Sequence, residues 1–200
     1  MTMKFRVLNL YAGIGGNRKL WGNCDVTGVE HDSAIAEVYA KRFPNDKVVT
    51  GDALEYTEKH YSEFDFIWAS PPCQTHGQYR HNVGVIGKGF GPVIPHMTSL
   101  YGLIMFLQTY FKGKWVVENV KPYYKPLLQP TFELQRHLFW ANFTVLPRDF
   151  KKTKIRTKNK ISDFDCAELV KTTKIKNKRQ VLRNCVDAEI GAYILNTLRP

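Results

Sequence analysis

Cys73 stands behind Ser70-Pro71-Pro72, at the end of the apolar run Phe64-Asp65-Phe66-Ile67-Trp68-Ala69. The run reads as a buried strand. Two prolines fix their own backbone angles and bias the preceding residues toward extended geometry, so the thiol is held at the strand's exit. A cysteine in that place is either an exposed nucleophile or a small buried hydrophobe. A second chemically able group comes at Glu118-Asn119, where another apolar strand, Trp115-Val116-Val117, ends. Two strand ends would then deliver a thiol and a carboxyl group to one rim.

The elements that must position them follow a regular alternation. Phe5 to Leu10 predicts a first strand running into Tyr11-Ala12-Gly13-Ile14-Gly15-Gly16, with Asn17 to Trp21 opening a helix. Strand, glycine turn and helix together cradle a nucleotide-like cofactor, because glycine lets the backbone approach closely and helix N-terminal amides face the ligand. Val26 to Glu30 predicts a second strand, with Glu30 either on ribose hydroxyls or simply solvated. Ser33 to Phe43 predicts a helix capped by Ser33. Val48-Val49 predicts a third strand, and Asp52 either meets the cofactor's base or only makes a turn. Met97 to Phe111 predicts a helix with Leu100, Leu103, Leu107 and Phe111 on one face. Leu134 to Trp140 predicts one more strand, and Val186 to Leu198 a last core helix. This pattern implies an α/β fold around a mostly parallel sheet, with ligands at the carboxyl ends of its strands.

Between Thr75 and Pro95 lie five glycines together with His76, Arg80, His81 and Lys88. A loop of that length is either a functional lid or an unstructured insertion. The chain's net charge is +11, and residues 141–179 hold twelve Lys/Arg against four Asp/Glu, a local charge of +8. Lys151, Lys152, Lys154 and Arg156 form its first cluster. Such a balance points to a polyanionic partner, nucleic acid first, although a basic run can also be only a solvated stretch. The four cysteines form no CxxC pair, which argues against a zinc site or a disulfide framework and suits a reducing cytosol. No signal peptide or bilayer-length apolar run is visible, so the expectation is a cytoplasmic monomer with no metal and no membrane partner.

Taken in order, these motifs resemble the cytosine-5 DNA methyltransferase family, and the chain looks like its compact, phage-type stand-alone forms. Tyr11-Ala12-Gly13-Ile14-Gly15-Gly16 is similar to the family's cofactor loop, Pro71-Pro72-Cys73-Gln74 to its nucleophile motif and Glu118-Asn119-Val120 to the motif that holds the target base. Arg179 to Val186 is similar to the family's last motif, although Arg183 stands where glycine is usual. The resemblance runs from about Val7 to Leu198. It implies a Rossmann-like S-adenosylmethionine-dependent methyltransferase fold, S-adenosyl-L-methionine as cofactor and double-stranded DNA as partner. It assigns Tyr11, Gly13, Gly15, Gly16, Glu30, Asp52, Pro71 and Asn184 to the cofactor and Cys73 and Glu118 to the chemistry. Gln74, Arg80, Lys88, Lys151, Lys152, Lys154 and Arg156 go to the nucleic acid. The family's Gln-x-Arg-x-Arg motif is altered here: Glu133, Gln135 and His137 fall on its polar positions with Arg136 between them. Either Arg136 or His137 takes over the second arginine's role. The implied organisation is a catalytic and cofactor-binding part (1–140), a short basic target-recognition region (141–179) and a C-terminal motif with its helix (180–200).

The chemistry this implies starts from an aromatic ring whose carbon 5 is a poor nucleophile. Attack by the Cys73 thiolate at carbon 6, with Glu118 favouring protonation at nitrogen 3, makes carbon 5 enamine-like and able to take a methyl group. The base must first rotate out of the duplex. Three other readings compete: an RNA (tRNA-type) cytosine-5 methyltransferase, a non-catalytic DNA-binding relative, and a nicotinamide dehydrogenase, which leaves Pro-Pro-Cys-Gln and the basic segment unexplained.

Overall fold

Alternation along the central strands decides the architecture. The computed structural model describes residues 4–77, 81–82, 94–150 and 166–198. Seven strands form one sheet: β1 (Phe5–Leu10), β2 (Cys24–Glu30), β3 (Lys47–Thr50), β4 (Phe66–Ala69), β5 (Lys114–Val120), β6 (Phe132–Leu134) and β7 (His137–Ala141). Their order is β3-β2-β1-β4-β5-β7-β6. The first five run parallel, while β7 lies antiparallel to both β5 and β6.

Successive side chains of a strand point to opposite faces. Leu8, Ile67, Ala69, Val117, Leu138 and Trp140 therefore join one core. It is covered by α2 (Ala53–His60) and by α3 (Leu103–Tyr110) with the π-type turn before it. Their neighbours Val7, Phe66, Trp68, Val116 and Phe139 join the other core, beneath Trp21 and the last helix, α6 (Ala188–Asn196). A third cluster joins Ile14 and Val38, the latter on α1 (Ser33–Arg42), to Cys166, Val170, Ile175 and Leu182. Cys166 precedes α4 (Ala167–Thr172) as its N-cap, Val170 lies within it, Leu182 belongs to α5 (Lys178–Arg183) and Ile175 to the turn between the two helices. The sheet is thus covered on both faces, as hydrophobic parallel strands require. This is the α/β, mostly parallel, Rossmann-like architecture expected. Among the described residues no helix is long and apolar enough to cross a membrane.

Local departures have identifiable causes. No helix follows the glycine loop; the chain from Gly16 to Leu20 makes consecutive turns. Asn17 turns inward and exchanges hydrogen bonds with Asn9 at 2.8 and 3.4 Å, while Trp21 packs against Trp68 with ring centroids 5.8 Å apart. Two buried anchors five residues or fewer apart override helix propensity. The cap of α1 is Asp32, whose carboxylate accepts from Ala34 N (2.8 Å) and Ile35 N (3.2 Å). The expected single strand across Leu134–Trp140 is a hairpin: Leu134 pairs with His137 around a two-residue turn, with Gln135 at φ 54°.

Gly191 marks where α6 meets the start of the chain. A Cβ there would lie 2.2 Å from the Asn17 carbonyl oxygen, and the Asn9 pairing leaves Asn17 nowhere to go. Alanine inside a helix ordinarily gains about 1 kcal/mol over glycine. Here the overlap should reverse the sign, so Gly191→Ala is expected to cost about 1–3 kcal/mol in urea denaturation. A midpoint at or above wild type would contradict this packing.

Candidate active site

In a parallel sheet every strand ends at the same rim. Tyr11, Glu30, Gly51 and Ser70-Pro71-Pro72-Cys73 lie at or just beyond the ends of β1, β2, β3 and β4, and Glu118-Asn119-Val120 closes β5. Because β7 runs the other way, its beginning lies at this rim, and Val120 pairs with His137. One rim therefore holds Cys73, Glu118, Arg136 and His137.

Their charges act on one another. Glu118 is buried, and loss of hydration pushes its carboxyl up to about 7; a hydrogen bond from Ser70 and the Arg136 charge both pull the other way. Ser70 is itself held by Trp68 Nε1, which donates to its hydroxyl at 2.9 Å. Burial raises the Cys73 thiol to about 11, the Glu118 carboxylate adds to that rise and Arg136 opposes it. His137 is buried, with Nε2 3.4 Å from Glu118 Oε1. Burial and then Arg136 lower its pKa to about 3, so the ring is neutral at pH 7. The choice the sequence left open is thereby narrowed. His137 carries no charge, and Arg136 is the cation that acts on all three neighbours. Arg136 is exposed, and its Nη2 donates to the Arg183 carbonyl at 3.0 Å.

Asn119 ties the two strand exits together. Its Nδ2 donates to the Pro71 carbonyl at 3.0 Å and its Oδ1 accepts from Val120 N at 2.9 Å. Pro71 is buried there, whereas Gln74 is exposed one residue beyond the thiol. No sequence signal assigns Ser70 a role, and Asn119 enters there only as part of Glu118-Asn119-Val120.

The cofactor candidates gather at the β1–β3 end. Glu30 receives Gly13 N on Oε2 (2.9 Å) and Asp32 N on Oε1 (3.0 Å), so its carboxylate shapes the glycine loop. Gly13 has φ 55° and open space where a Cβ would be. Gly15, at φ 74°, presses against the Phe43 ring, and Gly16 lies against Cys185 and Val186. Asp52 caps α2 through Leu54 N (2.8 Å) and Glu55 N (2.9 Å). Burial and then Asp52 raise the Tyr11 phenol, which places these two together. Asn184 is the exposed C-cap of α5, beside the segment that covers Gly16. Space above Gly13, a carboxylate at the end of β2 and an acid beyond β3 fit a nucleoside with a free ribose. Arg80, Lys88, Lys151, Lys152, Lys154 and Arg156 lie outside the described residues. Among the described residues no group of three His, Cys, Asp or Glu could hold a metal ion.

Residues 5–90 match the sequence model of the C-5 cytosine-specific DNA methylase family. The match takes in the glycine loop, Glu30, Asp52 and Cys73, and stops before Glu118. That family uses S-adenosyl-L-methionine. No curated protein matches the chain significantly. Among solved structures, the Entamoeba histolytica methyltransferase EhMeth aligns at 18% identity and TM-score 0.42, over 60% of this chain and 39% of that one. A Spodoptera frugiperda DNMT2 mutant aligns at 25% and 0.41, over 58% and 36%. A putative DNA modification methyltransferase encoded within an Escherichia coli prophage aligns at 21% and 0.37, over 60% and 33%. The chain thus spans well under half the length of these proteins.

The buried carboxyl has a consequence for stability. Its pKa rises from 4.5 in a solvated chain to about 7 on folding. A raised folded-state value adds stability that is complete below about pH 4.5 and gone once pH passes about 7. Above that the ionised group is a net cost. Glu118→Gln is therefore expected to raise stability at pH 8 relative to its effect at pH 4.5, by up to about 3 kcal/mol. Urea titrations of both proteins at the two pH values measure this; curves offset equally at both would refute the burial of an ionisable group here.

Proposed function

We propose, on the premise that residues 5–90 carry a C-5 cytosine-specific DNA methylase domain, that the chain transfers a methyl group to carbon 5 of cytosine in DNA. The observation that carries this reading is the convergence of Cys73 and Glu118, from adjacent strand exits, under one cation, Arg136. S-adenosyl-L-methionine, when bound, supplies the electrophilic methyl group. Glu30, Gly13, Gly15, Gly16, Tyr11 and Asp52 hold it in this reading, with Pro71 and Asn184 at its edges.

The protein's own part is acid–base and nucleophilic. Cys73 Sγ adds to carbon 6 of a cytosine turned out of the duplex, forming a C–S bond. Glu118, protonated, holds nitrogen 3 so that the ring accepts the incoming electron pair. Carbon 5 becomes nucleophilic and takes the methyl group as its bond to the sulfonium sulfur breaks, leaving a neutral thioether; water takes the carbon-5 proton, Sγ departs as thiolate with the electron pair of the C–S bond, and the nitrogen-3 proton returns to Glu118. Arg136 stabilises the thiolate, and neutral His137 leaves that charge undivided. With Glu118 near 7 and Cys73 near 11, the pair holds one proton between those values. The reactive form places that proton on Glu118 and leaves sulfur ionised. It is a constant minor share of the pair across that range, and it is lost when a second proton binds below it.

DNA rather than RNA is supported by the family description and, for a polyanion in general, by the +11 charge. Residues 141–179 are the target-contacting region in this reading, with Gln74, Arg80, Lys88 and the Lys151–Arg156 cluster facing the nucleic acid.

Labelled S-adenosyl-L-methionine with mixed-sequence duplex DNA should yield 5-methylcytosine, and tRNA should compete poorly. Product in tRNA alone, or none in any sequence context, would reverse the assignment. Cys73→Ala should abolish transfer while cofactor binding by calorimetry persists; continued transfer would show that sulfur is not the nucleophile. Initial rates should rise about tenfold per pH unit toward pH 7 and then level, following the single-proton form. A rate still climbing at pH 9 would contradict that form.

A further inference from the structure

The turn that carries Cys73 is fastened to the chain leaving β5 on both of its sides. Before the thiol, Asn119 holds the Pro71 carbonyl. After it, the Cys73 carbonyl accepts from His76 N and Gly77 N, each at 3.1 Å, closing a tight turn. The His76 carbonyl accepts from Tyr123 N at 3.1 Å, and Gly77 makes an isolated antiparallel bridge with Pro122. Side chains add to these main-chain bonds. His76 is fully buried, and its Nδ1 meets the Tyr124 hydroxyl from 48 residues away. Thr75 Oγ1 accepts from His96 N at 3.0 Å on the flank.

His76 has no part in the acid–base assignments above. Its Nε2 makes no hydrogen bond of normal geometry among the described residues, and the His96 backbone is a polar group that acts on the ring. An imidazole kept out of water costs more than a leucine would at the same place. Burial lowers its pKa, so the ring meets Tyr124 as a neutral partner.

We infer that His76 and Tyr124 are positioning residues for Cys73: their hydrogen bond locks the nucleophile's turn to the segment leaving β5 and so fixes the sulfur against Glu118. This rests on the methyl-transfer reading for its kinetic consequence, but not for its geometry. Without the lock, the turn swings outward, the sulfur gains water and the Glu118 charge recedes.

Two measurements on Tyr124→Phe, His76→Leu and His76→Asn decide it. The first is the pH midpoint of Cys73 alkylation by iodoacetamide, read from the peptide that carries it and needing neither cofactor nor nucleic acid. Tyr124→Phe and His76→Leu should lower that midpoint from about 11 toward the ordinary thiol value, and His76→Asn, which keeps a polar atom near the Nδ1 position, should restore much of it. The second is methyl transfer: kcat should fall about 10- to 100-fold in the first two variants with KM for S-adenosyl-L-methionine within about twofold, as a small misplacement of a nucleophile does. An unmoved midpoint in both, an unchanged kcat in both, or loss of the folded state in Tyr124→Phe would overturn the inference. A wild-type protein with no transfer would instead refute the proposed function, and the alkylation midpoints would still decide the positioning role.

Discussion

A carboxyl group removed from water sets the terms for the rim. Glu118 lies inside the sheet's edge where hydration cannot reach it, and its charged form is disfavoured accordingly. What surrounds it is graded to leave that bias intact. Ser70 offers one hydrogen bond, His137 offers a ring that stays neutral, and Arg136 sits on an exposed turn. A fully paired arginine at that place would pull the carboxyl back into the ordinary range and remove its capacity to hold a proton near neutral pH. The same burial holds the Cys73 thiol up, so carboxyl and thiol are both tuned by a shortage of water rather than by a dense set of partners.

Reversal of a single strand makes this possible. Five parallel strands bring their ends to the rim, and β6 runs the same way at the far edge of the sheet. β7 turns back between β6 and β5, which puts the turn with Arg136 and the first residue of β7 beside the last residues of β5. Arg136 then spends one donor on the Arg183 carbonyl, a neutral acceptor, so its position is fixed while its charge stays available to the pocket.

Much of this could be read along the chain. The period-two apolar strands give the two cores, and the strand exits at Cys73 and Glu118 reach one rim because they end parallel neighbours. The failures are those of contacts distant in sequence. Asn17 to Trp21 has helical propensity, yet Asn9, Trp68 and Gly191 claim it for turns. The Gln135-Arg136 turn holds no glycine, proline, asparagine or aspartate to mark it. Asp32 outcompetes Ser33 because a carboxylate accepts two amides at once. Whether Arg136 or His137 carries the charge is a matter of hydration, which no residue type reveals. Nor does any local signal couple His76 to Tyr124. The six basic residues assigned to nucleic acid fall outside the described chain, so composition alone speaks for them.

Gly16 rests against Cys185 and Val186, and Asn17 against Gly191. The glycine loop is therefore roofed by residues far along the chain. During synthesis on a ribosome, β1 through β5 can pair as they emerge, bringing the strand exits that carry Cys73 and Glu118 to one rim. The loop at Gly16 still lacks its cover until residues 182–191 clear the exit tunnel and close a contact of very high sequence separation. The two ends of the rim are thus completed at different times: the thiol and carboxyl first, the roof over the glycine loop later.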